Sequence, residues 1–379
     1  MKSIRLSFLM LVYISLLVGC SPLKVLTVEV ENTLPFDRNR ELISLDYTSI
    51  VKELALPDSA AVVILNADNK QIIYQITSKG ELLFPVSVAA RSTAQYRIQR
   101  GQPEAFQSVV YGRLIPERYD DFAWENDRIA FRTYGPALKA IDGPSNGVDV
   151  FLKRVDYPII DKWYDLSLNK AQDYHTDRGE GLDCYKVGRT LGSGMPAPLV
   201  SDSLVLGENF VTSHVLENGP LRFSFRLTYA PLNVNGVPVV ETRVITLDAH
   251  SSFNQMEVTY TGDFDSLSIA AGLTLHEGEG DITMNDKNVS VSQWEFMSDE
   301  VGYLSNALVF SNITGSRVLK VSNHAVITVP CQPEKPLVYY FGAGWSKWGY
   351  PTQTSWLEAV DHQAAIKKEP LKFKINLNK

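Results

Sequence analysis

The chain has 379 residues, 45% apolar and 21% charged, a globular composition with room for one large or two ordinary domains. Its formal charge of −7 argues against a nucleic-acid partner, which needs a basic surface, but leaves room for a small anionic ligand in a local positive pocket. Three cysteines exclude a disulfide scaffold.

The N-terminus reads as a targeting segment. Lys2 and Arg5 precede an apolar run from Phe8 to Val18, and Leu17-Val18-Gly19-Cys20 has the layout of a bacterial lipobox. Residues 1–19 are therefore expected to be removed and Cys20 lipidated, anchoring the protein in the bacterial cell envelope, facing the periplasm or the cell surface. The run is shorter than the ~20 apolar residues of a spanning helix. Losing Lys2 and Arg5 takes the formal charge from −7 to −9. Cys184 and Cys331 remain, and their spacing leaves pairing open.

Further along, period-two patterns dominate. Leu26 to Glu31 alternates as a strand, and Ala61–Leu65 with Gln71–Thr77 reads as a hairpin across Asn66-Ala67-Asp68-Asn69. Leu221 to Tyr229 is apolar at every odd position. Leu232–Val234 and Val237–Leu247 flank Asn235-Gly236, the strongest short hairpin signal. Met256, Val258 and Tyr260 continue the alternation, and Leu337–Phe341 is a late strand. Helical signals are few: Asp161–Ala171, and a capping-box pattern at Ser355-Trp356-Leu357-Glu358 opening a helix to about Lys367. No βαβ rhythm appears, so the fold class is all-β and antiparallel. A seam near Arg100-Gly101-Gln102-Pro103 divides a small β-sandwich or sheet extension, residues 25–102, from a larger body, residues 103–379. That body is too long for a seven-stranded immunoglobulin-type domain.

Zinc, nucleotide and nucleophile-elbow motifs are absent, which leaves three stretches with chemistry. Pro116–Pro136 packs Arg118, Arg128 and Arg132 among five carboxylates, with Arg113 just upstream. Trp124 is placed to stack on a sugar, and Arg118 or Arg132 to clamp a carboxylate. Alternation puts Arg128, Ala130, Arg132 and Tyr134 on one face, a poor core face and a good groove face. The competing reading pairs these arginines with Glu117, Asp120, Asp121, Glu125 and Asp127 in a solvated turn. Asp120, Asp121 and Asp127 also offer a weak Ca²⁺ cluster, though no metal is expected. The second stretch, Tyr174–Gly188, offers His175 as general base, with Tyr185 and Lys186 beside it, or else an ordinary long loop. The third, His276-Glu277-Gly278-Glu279-Gly280, ends a strand and supplies His276. Around Trp345, Gly344–Tyr350 adds an aromatic wall.

The Glu117-Arg118…Trp124-Glu125-Asn126-Asp127…Phe131-Arg132…Tyr134-Gly135-Pro136-Ala137 block, followed by Asp142-Gly143, Lys186, Gly188 and Gly342-Ala343-Gly344-Trp345, resembles family four-eight-six-one of the domain-of-unknown-function series. The resemblance covers nearly all of the mature chain. It implies a galactose-mutarotase-like β-supersandwich in a secreted or lipidated Bacteroidota protein of polysaccharide utilisation. It also implies a hydro-lyase that removes water from a terminal uronate of an oligosaccharide, giving a 4,5-unsaturated sugar.

The expected site has His175 and His276 as base and acid, in either order, with Tyr185 as understudy for either role. Arg118, Trp124, Glu125, Asn126, Arg132, Tyr134, Lys186 and Trp345 would hold the sugar acid. No cofactor is expected. Rival readings are a polysaccharide lyase, a glycoside hydrolase using Glu125 and Glu277, and a sugar-binding lipoprotein without chemistry.

Overall fold

The computed structural model describes residues 24–57, 61–277, 280–311 and 314–378; the expected targeting segment and Cys20 lie outside them. Strands make up most of the chain, and among the described residues they form five sheets.

The body is an antiparallel β-supersandwich. One layer is a nine-stranded sheet running, with one short side strand, from Thr212–Asn218 through Arg222–Thr228, Val237–Asp248, Phe253–Thr261, Leu337–Trp345, Gly302–Val309 and Ser290–Ser298 to Asp281–Asn285. The facing layer joins two five-stranded sheets, one spanning Tyr111–Asp183 and one built on Ser193–Val200, Leu267–Thr274 and His324–Cys331. Between the layers lies the largest apolar cluster, with Phe122, Trp124 and Phe131 from one side and Phe223, Phe225 and Phe341 from the other. Alternation explains it: Arg222–Thr228 and Val237–Asp248 bury every second residue, as expected of sheets with one face in the core. The Asn235-Gly236 hairpin forms as expected, with φ of 52° and 86°.

The small N-terminal β-sandwich has its own core of Val28, Val30, Phe84, Val86 and Ile98. Its first sheet begins with Lys372–Asn378, which pairs antiparallel with Val25–Asn32. The division at residue 102 therefore needs a correction, because the end of the chain returns to the N-terminal unit. The expected hairpin at Asn66–Asn69 also forms, but its second arm breaks after Ile72 and rejoins the other sheet at Gln75–Ile76.

Three helices matter for the packing. Tyr47–Leu54, capped by Asp46, gave no clear sequence signal because it is only eight residues long. Gln353–Lys368 starts earlier than the Ser355 reading, with Thr352 as N-cap and Ser355 closing the capping box. Ile160–Leu168 covers the sheet that carries the site.

Candidate active site

The site grows out of register. In the Tyr111–Asp183 sheet, Arg132 lies opposite Asp149 on one side and Ala123 on the other; Ala130 lies between Phe151 and Glu125. Antiparallel partners point the same way, so one face collects Asp121, Glu125, Arg132, Asp149, Lys153 and Asp183. The opposite face carries Phe122, Trp124, Phe131, Val150 and Leu152 into the sandwich core. The shared face expected for Ala130, Arg132 and Tyr134 is therefore present, but it is roofed. Ile160, Trp163 and Tyr164 of the helix Ile160–Leu168, with Tyr174 after it, pack over Ala130 and Phe151.

Glu125 fastens that roof. Its carboxylate accepts from Lys153 Nζ at 2.6 Å and from the backbone N–H groups of Ile159 and Ile160 at 2.9 Å. An acid at a helix N-terminus satisfies donors that the helix itself leaves open. Glu125 is fully buried, so it is neither a sugar ligand nor a hydrolytic carboxylate.

The rest of the Trp-Glu-Asn-Asp block is also structural. Trp124 is fully buried, stacks on Phe131 and donates from Nε1 to Asn254 at 2.8 Å, so it offers no face to a sugar. Asn126 donates to the Asp248 and Ser251 carbonyls and accepts from Arg128 and Ile129 N–H. Asp127 accepts from the His250 backbone and ring, both at 2.7 Å. The block ties the two layers together. Asp120, Asp121 and Asp127 do not converge as Ca²⁺ ligands, since Asp121 instead accepts from Gly135 N–H.

Arg132 is the hub. Its guanidinium pairs with Asp149, lies 3.1 Å from Asp183, donates to Tyr174 Oη at 3.2 Å and sits over the Phe151 ring. Tyr134 donates to Asp149 at 3.1 Å. Three carboxylates, Asp121, Asp149 and Asp183, thus face two guanidinium groups, since Arg118 acts on Asp121 and Asp183 as well. Full ionisation would leave an excess negative charge out of water, so a proton is retained. Burial lifts Asp121 to about 6. Burial and then the charge on Asp149 push Asp183 well above the usual carboxylate range.

At the rim of this cluster the chain opens to solvent. Tyr119 and Asp120 both adopt left-handed φ, at 55° and 63°, turning the chain between Arg118 and Asp121. Gly135 packs so tightly there that a Cβ would fall 2.0 Å from the Asp120 carbonyl, so only glycine fits. Arg118 Nη1 is buried with no partner among the described residues. His175 is exposed, with 64% of its side chain open, and Nδ1 lies 3.0 Å from the Asp183 carbonyl oxygen. A carbonyl only accepts, so Nδ1 carries the hydrogen and Nε2 keeps its lone pair facing outward. That is the arrangement of a general base.

His276 is different. Nδ1 lies 2.6 Å from the Glu295 carboxylate and Nε2 lies 2.7 Å from the Lys186 carbonyl. Two acceptors demand two N–H groups, and the hydrogen bond to Glu295 raises its pKa. With both ring nitrogens engaged it has no free lone pair, which speaks against the base role and leaves the acid role. Tyr185 is buried with its ring edge on His276, out of reach of substrate. The Lys186 side chain is exposed beside this pair, while its backbone holds the His276 ring. Trp345 is buried too, donating to the Val301 carbonyl at 2.8 Å, with Arg154 over its ring. Among the sequence candidates, the structure links Tyr134, Arg132 and His175 through Asp149 and Asp183, with Arg118 acting on Asp183, and sets His276, Tyr185 and Lys186 in a second group. Cys184 links the two groups; burial raises its thiol pKa, and both Asp183 and Glu295 add to the rise.

Asp149, Asp183 and Glu295 were not among the sequence candidates. Asp149 did leave a signal: in Val148-Asp149-Val150-Phe151-Leu152-Lys153 the alternation sets Asp149 and Lys153 on one face of an otherwise apolar strand. Cys184 and Cys331 are both free.

A family described as "Domain of unknown function (DUF4861)" matches residues 30–373. A Formosa agariphila protein named Uncharacterized protein P7 is 31% identical over 375 residues, covering 92% of this chain and 93% of that one. Among solved structures, an α-mannosidase from Enterococcus faecalis V583 superposes with a TM-score of 0.50 at 11% identity, over 94% of this chain and 46% of its own. An Enterococcus faecalis protein in glycosyl hydrolase family 38 gives 0.48 at 10% identity, over 94% and 47%. This chain spans about half the length of those two structures, and the first likeness concerns the fold alone.

Proposed function

The chain belongs to the DUF4861 family, and from that footing we propose that it is an oligosaccharide dehydratase acting on a terminal uronate, with the mouth at His175 as its active site. The observation that carries the reading is the exposed ring of His175, whose Nδ1 is held by the Asp183 carbonyl so that Nε2 keeps its lone pair, with Arg118 acting on the same Asp183.

Arg118, with Lys186 at the rim, would neutralise the uronate carboxylate, which acidifies the adjacent C5–H. His175 Nε2 takes that proton. The C5–H electron pair becomes the C4=C5 double bond as the C4–O bond breaks, and the imidazolium returns the proton to the departing hydroxyl as water. The Asp183 carbonyl, 3.0 Å from Nδ1, holds the ring in this orientation throughout. The cluster around Arg132 holds these groups in place rather than touching substrate. The lipid anchor expected at Cys20 would keep the enzyme in the envelope, where oligosaccharide fragments arrive.

The test is incubation with defined uronate oligosaccharides, followed by ultraviolet absorbance of the unsaturated uronate and mass spectrometry. Loss of one water at constant chain length supports the proposal. Shortened chains with an unsaturated end would mean a polysaccharide lyase, and saturated fragments a glycoside hydrolase. Binding without product would mean a sugar-binding lipoprotein.

A further inference from the structure

One cleft shares no residue with the His175 mouth. It measures about 280 Å³ and opens where three parts of the chain meet. Residues 36–42 of the small sandwich form one wall. The outer face of the nine-stranded sheet, at Asp248, Gln255 and Tyr340, forms the floor, and the helix Gln353–Lys368 closes the side. Such seams between units are favoured places for small-molecule sites, whose volumes begin near roughly 300 Å³.

Most of the charge lining the cleft is already matched. Arg38 holds Glu41 through two bonds, at 2.6 and 2.5 Å, and the Glu369 carbonyl at 2.9 Å. Arg222 grips Asp248 at 2.6 and 2.8 Å, and Asp127 holds His250 at 2.7 Å. Asp37 accepts from the Ala90 N–H. Among the described residues Asp37 makes no ion pair, and two cations outnumber it. Lys367 and Arg40 make no ion pair among the described residues, and the Lys367 ammonium sits 4.5 Å over the Tyr340 ring. Beside them Phe36 and His362 stack at 3.6 Å, nearly parallel, adding a flat aromatic wall.

We infer that this cleft is a second saccharide-binding site, taking a sugar unit that carries a carboxylate or sulfate. The inference rests on the proposed function for the ligand being a saccharide; the anion preference comes from the cleft itself. The C–H face of a sugar ring packs on the Phe36–His362 wall, while the anionic group meets Lys367 and Arg40. A second grip of this kind raises the local concentration of a long substrate at the catalytic mouth.

Isothermal titration with sodium glucuronate tests it, with methyl glucoside as the neutral comparison, on wild type, Arg118→Gln, Lys367→Met and the two combined. Arg118→Gln removes the clamp proposed at the other site, and Lys367→Met keeps the apolar stem but not the charge. The expected result is binding retained in Arg118→Gln, weakened at least about tenfold when Lys367→Met is added to Arg118→Gln, and at least about tenfold weaker for methyl glucoside. Turnover of a short uronate substrate should be unchanged in Lys367→Met. Arg40→Asn, which suits the left-handed backbone at φ 55°, gives a second exposed variant with the same expectation of weaker binding. Glucuronate binding that survives both cation variants in the Arg118→Gln background, or that is lost in Arg118→Gln itself, overturns the second site, as does wild type that does not bind. Cation-dependent binding in a protein that never dehydrates uronates would overturn the dehydratase reading alone.

Discussion

His175 and Asp183 touch twice: the ring Nδ1 lies 3.0 Å from the Asp183 carbonyl oxygen and 3.7 Å from its carboxylate. The first contact fixes the tautomer. Removing the imidazole should therefore stop chemistry without disturbing the fold, because the side chain is largely exposed. For His175→Ala we expect turnover to fall by about 10²–10⁴-fold with an unchanged melting temperature. Retained turnover would remove His175 from the mechanism.

Arg118 should separate from His175 in its kinetics. Arg118→Ala deletes a carboxylate partner, so uronate turnover should drop at least about tenfold, with partial rescue by Arg118→Lys. A lysine variant no better than alanine would show that charge at this position is not what matters.

Asp121 carries a pH signature. Its pKa is raised in the folded protein to about 6 by burial, from 3.8. A carboxyl raised on folding favours the folded state below pH 3.8, and that advantage is lost as pH climbs through about 6. Asp121→Asn keeps an acceptor for Gly135 N–H and removes the ionisation. Relative to wild type, it should gain up to about 3 kcal/mol between pH 3.5 and 7.5 in denaturant titrations. Parallel stability curves for the two proteins would contradict this.

The roof over the sheet depends on Glu125. Glu125→Gln leaves Lys153 charged and buried, at a cost of about 3–5 kcal/mol, seen as a lower unfolding midpoint. Glu125→Gln combined with Lys153→Met should be milder than the single change. A single variant as stable as wild type would mean that the pair does not hold the helix Ile160–Leu168 down.

His276 should mark the alkaline side. Its pKa is raised through Glu295, so its contribution is complete below the ordinary histidine value and lost as pH rises through the higher folded value. His276→Gln should flatten that part of the stability curve and leave turnover on short substrates measurable. A variant that keeps the wild-type slope would assign that slope to another group.

The strands were legible because their burial follows period two, and Arg222–Thr228 and the Asn235-Gly236 hairpin stand where the pattern placed them. The charge-dense block misled for a physical reason. Alternation says which residues share a face but not what covers it. Arg132 sits on the expected face, yet the cover is a helix fastened by Glu125, a contact between residues more than thirty positions apart. Density of charge looks the same in a wet groove and in a buried, neutralised network. Asp183 illustrates the other limit: as one acid in a polar loop sequence, it becomes distinctive only when register sets it beside Arg132 and Asp149.

The pairing of Val25–Asn32 with Lys372–Asn378 ties together segments such as Thr27 and Asn378, 351 positions apart in sequence. A strand made among the first described residues thus waits for a partner made after nearly all the others. During synthesis one edge of Val25–Asn32 stays open until the strands of the supersandwich have been made, so this sheet becomes a seal that closes late.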